Sequence, residues 1–350
     1  MSMKIEAVAA AFPSRTVCNH EILSLIRQHS SETFHGDLDQ CLRRIGRYLR
    51  LSGANHRLWL APGETPLQLA KDAIAKALQS ANCSEKEVDL MIWVGIGKGC
   101  MEPGQSYLMA QALGWNHVEC FDILDACMSW MRALQMAEAL LTTGRYRRIL
   151  VVNSECNTVE GGPLYPGNYR LFDESQVEWM FPSYTIGTGA SATLLTADAN
   201  LPPWRWAFQS RPDLADLCSV ATESWEHYCA PSDKIAKNGP WRFVSFGSAL
   251  HDAAEQPLQE VFAKAVPRKE EIKGVFTHSS SWAEWREFAQ LAGMEDRLHC
   301  VYPEYGNLVS ASVPAALYLA QEKQAIKRGD RLAFWVGSAG MSFAACSFEY

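Results

Sequence analysis

The 350-residue sequence has 11 cysteines but no CxxC pair. A disulfide framework or a structural zinc site needs closer pairing than that. No apolar run approaches the roughly 20 residues that span a bilayer. The amino terminus, MSMKIEAVAAAF, is too short and interrupted for a signal peptide. Basic excess is also missing: 32 Lys+Arg stand against 39 Asp+Glu, a net charge of −7. That disfavours a nucleic-acid partner. Together these absences imply a reduced, cytoplasmic protein without a membrane span, whose cysteines are mostly small core hydrophobes. Gly187 and Gly189 lack the strand–GxGxxG–helix context of a dinucleotide site. What is plentiful is apolar surface, 48% of residues, which excludes disorder. A chain of this length forms two domains or one large duplicated fold.

Strand and helix signals alternate, and they do so twice. Ile5–Ala11 reads as a strand, and Asn19–His29 as a helix capped by Asn19. Pro66–Ser80 is amphipathic with Pro near its start. The continuous apolar run DLMIWVG (Asp89–Gly95) suits a buried parallel strand. Val118–Leu124, Arg148–Ser154 and Ala190–Ala197 are further strands, and Met128–Thr143 is a long helix stopped by Gly144. The second half repeats the order: Lys273–His278, His299–Tyr302, the helix Ser312–Gln324, Arg331–Val336 and Ala344–Phe348. This predicts an α/β fold of two duplicated halves, 1–198 and 199–350, built on mostly parallel sheets. Residues Asn200–Pro240, with five prolines, read as the join between them plus an excursion.

Three chemistry-bearing residues fall at strand-to-helix junctions. Cys127 lies between a strand and a long helix, where the positive end of the helix dipole is expected to lower the thiol pKa. The free N–H groups there suit an oxyanion. His278 ends a buried strand, and Asn307 precedes the helix that duplicates the one after Cys127. Alone, each has a bland reading: a core cysteine, a hydrogen-bonded strand end, a helix cap. Parallel sheets gather such strand ends at one crevice. A thiol with two N–H donors at one crevice is an acyl-transfer constellation.

The segment FDILDACMSWMRALQMAEALLTTGRYRRILVVNSE resembles the nucleophile segment of the β-ketoacyl-ACP synthase III branch of the thiolase superfamily. HSS around His278, GNLVSASVPAAL around Asn307 and GDRLAFWVGSAGMSFAA at the end follow in that family's order. SGANHRLWLAPGETPLQLA and TIGTGASATLL match its early and mid-chain segments, so the resemblance spans nearly everything except about 200–240. It implies the thiolase fold, with βαβαβαββ halves layered α-β-α-β-α. It implies that Cys127 takes an acyl group from acyl-CoA or acyl carrier protein, with ping-pong kinetics. His278 and Asn307 would donate to the second thioester carbonyl. The N–H groups of Cys127 and Ala339 would hold the oxyanion. Neither a cofactor nor a metal is implied, and a homodimer is expected, with a heterodimer as the variant.

Departures from the family narrow the reading. Ser129 stands where the family has Gly, and Ser279-Ser280-Ser281 where it has Gln-Ala-Asn. MEPGQS places Glu102 where an apolar residue usually reaches the partner's acyl pocket. A glutamate there is similar to the head-to-head condensing enzymes of olefin and dialkylresorcinol or pyrone pathways, where it serves as a base in the neighbouring subunit. The function implied is Claisen condensation of two acyl thioesters, or of one with a malonyl thioester, in a specialised fatty-acid-derived or polyketide pathway. The alternatives are acyl transfer to an oxygen, nitrogen or ring acceptor, or a non-catalytic heterodimer subunit. Arg43, Arg44, Arg47 and Arg50 form a stripe at near-helical spacing: a solvated face, or a contact for CoA or carrier phosphate. Of these, Arg43, Arg47 and Arg50 are the phosphate candidates. Trp204, Trp206, Trp225 and Trp241 read as core or pocket lining.

Overall fold

Leu90–Val94 is buried at every residue, as a strand covered on both faces must be. It is the centre of the first sheet. The structure, a computed structural model, describes residues 2–350 apart from 158, 159, 161 and 163. The chain begins with β1 (Ser2–Ala11), β2 (Arg15–Cys18), α1 (Asn19–Ser30), α2 (Leu38–Leu51), β3 (His56–Trp59) and α3 (Pro66–Ser80). It continues through β4 (Leu90–Val94), α4 (Gln105–Leu113), β5 (Glu119–Ile123), α5 (Ser129–Thr142), β6 (Ile149–Glu155), α6 (Val177–Met180) and β7 (Gly189–Asp198). Then come β8 (Arg205–Ser210), β9 (Cys218–Val220), β10 (Phe243–Ser245), α7 (Gly247–Ala265), β11 (Ile272–Thr277) and α8 (Trp282–Leu291). The last elements are β12 (Leu298–His299), α9 (Tyr302–Tyr305), α10 (Ser312–Glu322), β13 (Arg331–Ser338) and β14 (Ser342–Glu349).

The two five-stranded sheets have orders β1-β7-β6-β4-β5 and β8-β14-β13-β11-β12, so they match strand for strand. Helices α3, α4 and α5 occupy the same places in the first series as α7, α8 and α10 in the second. Helix α10 packs on β1 and β7 of one sheet and on β11 and β12 of the other. It therefore lies between the sheets, and its residues are buried nearly all round: Val313, Pro314, Ala315, Ala316, Leu317 and Ala320. Helix α5 lies beside it, and its Trp130 donates to Thr193 Oγ1 (3.0 Å) and meets Phe334 of the far sheet edge-on at 5.1 Å. Helix α3 covers the outer face of the first sheet and α7 that of the second. The result is five layers, α-β-α-β-α.

Several sequence expectations need correction. The sheets are mixed rather than mostly parallel: β7 runs antiparallel to β6 and β1, and β14 to β13 and β8. In the second half β13 and β14 are joined by a short turn, which reverses the chain, whereas β6 reaches its antiparallel partner β7 through a long connection that carries α6. The cap of α1 is Cys18, whose N–H donates to Glu21 Oε2 (2.9 Å). Asn19 instead donates to Ala54 O (2.7 Å), bracing the chain before β3. The expected strand His299–Tyr302 shrinks to β12, and Tyr302 starts α9. All 11 cysteines are free thiols, but only Cys41 and Cys346 are fully buried, and Cys100 and Cys229 are exposed. The other seven are partly buried, and burial is the main cause of the raised thiol pKa at Cys127, Cys218 and Cys300. No described helix is long and apolar enough to cross a membrane.

Trp130 is the test of the layered core, being 1% exposed between the two sheets. Trp130→Ala should cost about 3–5 kcal/mol of unfolding free energy. Urea titration reads this directly, and a loss under about 1 kcal/mol would mean the inter-sheet packing is not as described.

Candidate active site

Each half places a short 3₁₀ turn at the amino end of its buried central helix. Ala126–Met128 precedes α5, and Val309–Ala311 precedes α10. The first residue of each turn has a left-handed backbone, with φ of 44° at Ala126 and 50° at Val309. That conformation is costly for a residue with a side chain, and most so for a β-branched one. Ser129 Oγ donates to Ala126 O (2.7 Å) and Ser312 Oγ to Val309 O (2.9 Å), so both turns are closed the same way. The serine that replaces the family's glycine thus has a definite task. The two turns pack against each other. By this symmetry Cys127 corresponds to Ser310, and Asn307 lies three residues before that position.

Asn307 is held by backbone on both sides. Its N–H donates to Thr185 O (2.8 Å), and its carbonyl accepts from the Gly187 N–H (3.0 Å), forming an isolated bridge with Ile186. A Cβ on Gly187 would sit 2.0 Å from the Tyr305 carbonyl, so only glycine permits this approach. The TIGTG motif therefore serves the Asn307 segment, not a phosphate. Asn307 Oδ1 accepts from the Val309 N–H (2.8 Å), which orients its amide and leaves Nδ2 with no partner among the described residues. His278, 4% exposed just after β11, lies beside the Val309 backbone, and its Nδ1 has no hydrogen-bond partner among the described residues. Val309 thus orients the Asn307 amide and borders His278. Burial lowers the His278 pKa to about 4, against the opposing pull of the Val309 backbone, so the imidazole is neutral at neutral pH.

Cys127 does not behave as its helix-end position suggests. Burial pushes the thiol pKa well above its ordinary value, and the Cys218 and Glu155 charges add to the rise. Hydrogen bonds from its own backbone and from Ser338 oppose this and lose. The dipole of one helix end is worth about 1 kcal/mol, less than burying a charge costs. The Cys127 turn is anchored across the halves: Met128 N–H donates to Ser338 Oγ (3.1 Å), which donates to Asp125 O (3.3 Å). Ala339 follows Ser338 in the half-buried turn between β13 and β14, next to this anchor.

Two segments of the chain match family models of 3-oxoacyl-[acyl-carrier-protein] synthase III: residues 121–159, and residues 262–350 for its C-terminal part. The first contains the Cys127 turn and the second contains His278, Asn307 and Ala339. These two segments resemble synthase III, and the layered architecture is the thiolase fold. It is 24% identical over 294 residues to the β-ketoacyl-[acyl-carrier-protein] synthase III of Aquifex aeolicus, covering 83% of this chain and 86% of that protein. It is also 24% identical over 277 residues to the acyl-CoA:acyl-CoA alkyltransferase of Xanthomonas campestris, covering 78% and 79%. The fold matches Xanthomonas campestris OleA, crystallised with bound lauric acid and lauroyl-CoA, with a TM-score of 0.82 at 20% identity over 100% of this chain and 99% of that one. The FabH structure from Xanthomonas oryzae gives 0.80 at 18% identity, covering 100% and 99%.

The remaining expected residues of this synthase III-like chain lie elsewhere. Glu102 is exposed on the loop between β4 and α4. Arg44 leaves the stripe by pairing with Glu174 (2.9 Å) and stacking on Tyr48. Arg43 and Arg50 line a groove of about 500 Å³ between α1 and α2, whereas Arg47 is exposed outside it. Trp204 and Trp206 stack with each other and with the core, while Trp241 is partly exposed. Among the described residues, His251, Glu255 and Glu287 could hold an ion, but they lie on α7 and α8, which carry none of the site residues. The sequence reading missed Glu155, Ser310, Ser338 and Val309. Ser310 was recoverable from the duplication, since it aligns with Cys127 once the two helices are superposed.

The buried histidine sets a pH dependence. Its folded pKa is about 4 against an ordinary 6.5, so the unfolded chain takes up the proton first as pH falls. Stability from this group is complete above about pH 6.5 and drains away down to about pH 4, on the order of 3 kcal/mol in all. The urea midpoint of the native protein should fall over that window by more than that of His278→Gln. Parallel pH curves would contradict a buried neutral imidazole.

Proposed function

We propose that the chain is an acyl-thioester condensing enzyme with Cys127 as nucleophile. Sγ attacks the carbonyl of an acyl-CoA or acyl-carrier thioester, forms an acyl-enzyme and expels the donor thiol, which takes the thiol proton. The N–H groups of Cys127 and Ala339 hold the oxyanion. A second thioester then sets its carbonyl oxygen against Asn307 Nδ2 and the neutral His278. Loss of carbon dioxide or of an α-proton leaves an enolate that both donors stabilise. The enolate carbon attacks the acyl-Cys127 carbonyl, a C–C bond forms and the thiolate leaves. Asn307 donates in the ground state through an amide already oriented by Val309, so little reorganisation is needed. The observation that carries this reading is the Asn307 amide oriented by the Val309 N–H, beside the buried His278, at the turn packed on the Cys127 turn.

Glu102 supports a head-to-head version in a homodimer. Its loop projects beside the free edge strand β5, with Met101 87%, Leu124 62% and Tyr107 55% exposed. A second copy seated on that edge would bury those side chains and receive Glu102 in its acyl pocket, where the carboxylate removes the α-proton. In this reading Arg43 and Arg50, which line the groove between α1 and α2, would meet the phosphates of the thioester carrier. The reaction needs no metal or added cofactor, and the cytoplasm would supply both thioesters.

Product analysis tests the reading. With one acyl-CoA, with or without a malonyl thioester, the enzyme should release a product containing a new C–C bond. An ester or amide instead would make it an O- or N-acyltransferase. Asn307→Ala and His278→Ala should still load acyl groups while condensation falls by about 10²–10³. Glu102→Ala should also spare loading while abolishing condensation, and equal loss of both steps would reject Glu102 as the base.

A further inference from the structure

Glu155 at the end of β6 is fully buried, yet no basic side chain pairs with it. Every group that touches its carboxylate is a donor. Oε1 accepts from Ser310 Oγ (2.6 Å), from Ser310 N–H (3.4 Å) and from Ile96 N–H (3.4 Å). Oε2 accepts from Gly97 N–H (3.0 Å) and Asn157 Nδ2 (2.9 Å). Burial raises the Glu155 pKa, and the bonds from Ser310, Asn157 and Ile96 oppose that rise and favour the anion. Gly95 makes room for it: a Cβ there would lie 2.1 Å from Glu155 Oε1 and 2.5 Å from Ser310 Oγ. Asn153 extends the network, donating to Ser310 Oγ (3.0 Å) while accepting from Ser191.

The carboxylate therefore ties the first sheet to the turn of the second half that follows Asn307. Ser310 occupies in that half the place Cys127 occupies in the first. We propose that Glu155 is a positioning residue for condensation, holding the Asn307–Ser310 turn, and that its charge makes the Cys127 thiol less ready to ionise. The first part rests on the condensing reading, while the second stands without it. The other titratable groups facing Cys127 are few. Cys218 comes from β9, and Asp125 precedes the turn but is neutralised by Arg132 at 3.0 Å. His278 from β11 is uncharged, and Ser338 from β13 and Ser310 from the facing turn carry no charge. Besides Cys218, Glu155 is the group whose charge raises the Cys127 pKa, and it is tied through Ser310 to the turn packed on the Cys127 turn.

The two effects have opposite signs, which a merely structural role would not produce. In Glu155→Gln, condensation should fall at least tenfold. Iodoacetamide should at the same time alkylate Cys127 about tenfold faster at pH 7, with the pH midpoint shifted down by about one unit. Peptide mass mapping assigns the alkylation among the 11 cysteines. Ser310→Ala removes the tie but keeps the charge, so condensation should fall while the alkylation midpoint stays. An unshifted midpoint in Glu155→Gln overturns the charge effect, and unimpaired condensation in Ser310→Ala overturns the positioning role. If Glu155→Gln does not fold, Ser310→Ala decides the positioning role, and Glu155→Asp, which keeps the charge at a shorter reach, decides the charge effect by whether its midpoint stays. A wild type that alkylates as expected but never condenses would count against the condensing reading alone.

Discussion

The site depends on two buried helices, α5 and α10, lying side by side between two sheets. Nothing but close packing of apolar faces puts them there, yet it forces the turns that precede them to meet. Each turn starts on a left-handed residue, Ala126 or Val309, and each is closed by the serine that opens its helix. Strain of this kind survives only where surroundings over-determine the backbone. Here the surroundings are Ser338 on one side and the Thr185–Gly187 bridge on the other. The reactive groups are therefore placed by backbone and core, and the side chains merely present them.

Burial then decides protonation. It drives the Cys127 thiol and the His278 imidazole towards their neutral forms, and a helix end cannot reverse that. Burial raises the Glu155 pKa as well, but five donors around its carboxylate oppose the rise. A neutral histidine and an oriented amide are sound donors to an enolate oxygen, since neither carries a charge that must be desolvated when substrate arrives. The same dryness strengthens both bonds in the transition state.

Much of the architecture was legible in the sequence because its signals are local. Pro66–Ser80 shows its helix through spacing and its proline, and α3 has those bounds. Buried runs such as LMIWV declare central strands. Helices α7 and α8 were not legible: α7 carries an internal Pro257, and α8 begins straight after three serines, of which Ser281 is its cap. Strand direction was also hidden, because β6 and β7 are equally apolar whichever way they run. In the site, Cys127, His278 and Asn307 stood out by residue type at junctions. Glu155 and Val309 did not, since one looks like the end of a strand and the other like ordinary core. Their parts come from contacts between segments about 155 residues apart, as in the Glu155–Ser310 bond, which local spacing cannot encode.

The central claim is that Cys127 carries the acyl group. Intact-mass measurement after incubation with a series of acyl-CoA thioesters tests it most directly. The account predicts a single acyl adduct, mapped to the peptide containing Cys127 and absent from Cys127→Ala. A folded protein that acquires no adduct from any acyl-CoA or acyl carrier protein, or acquires it equally in Cys127→Ala, would contradict it.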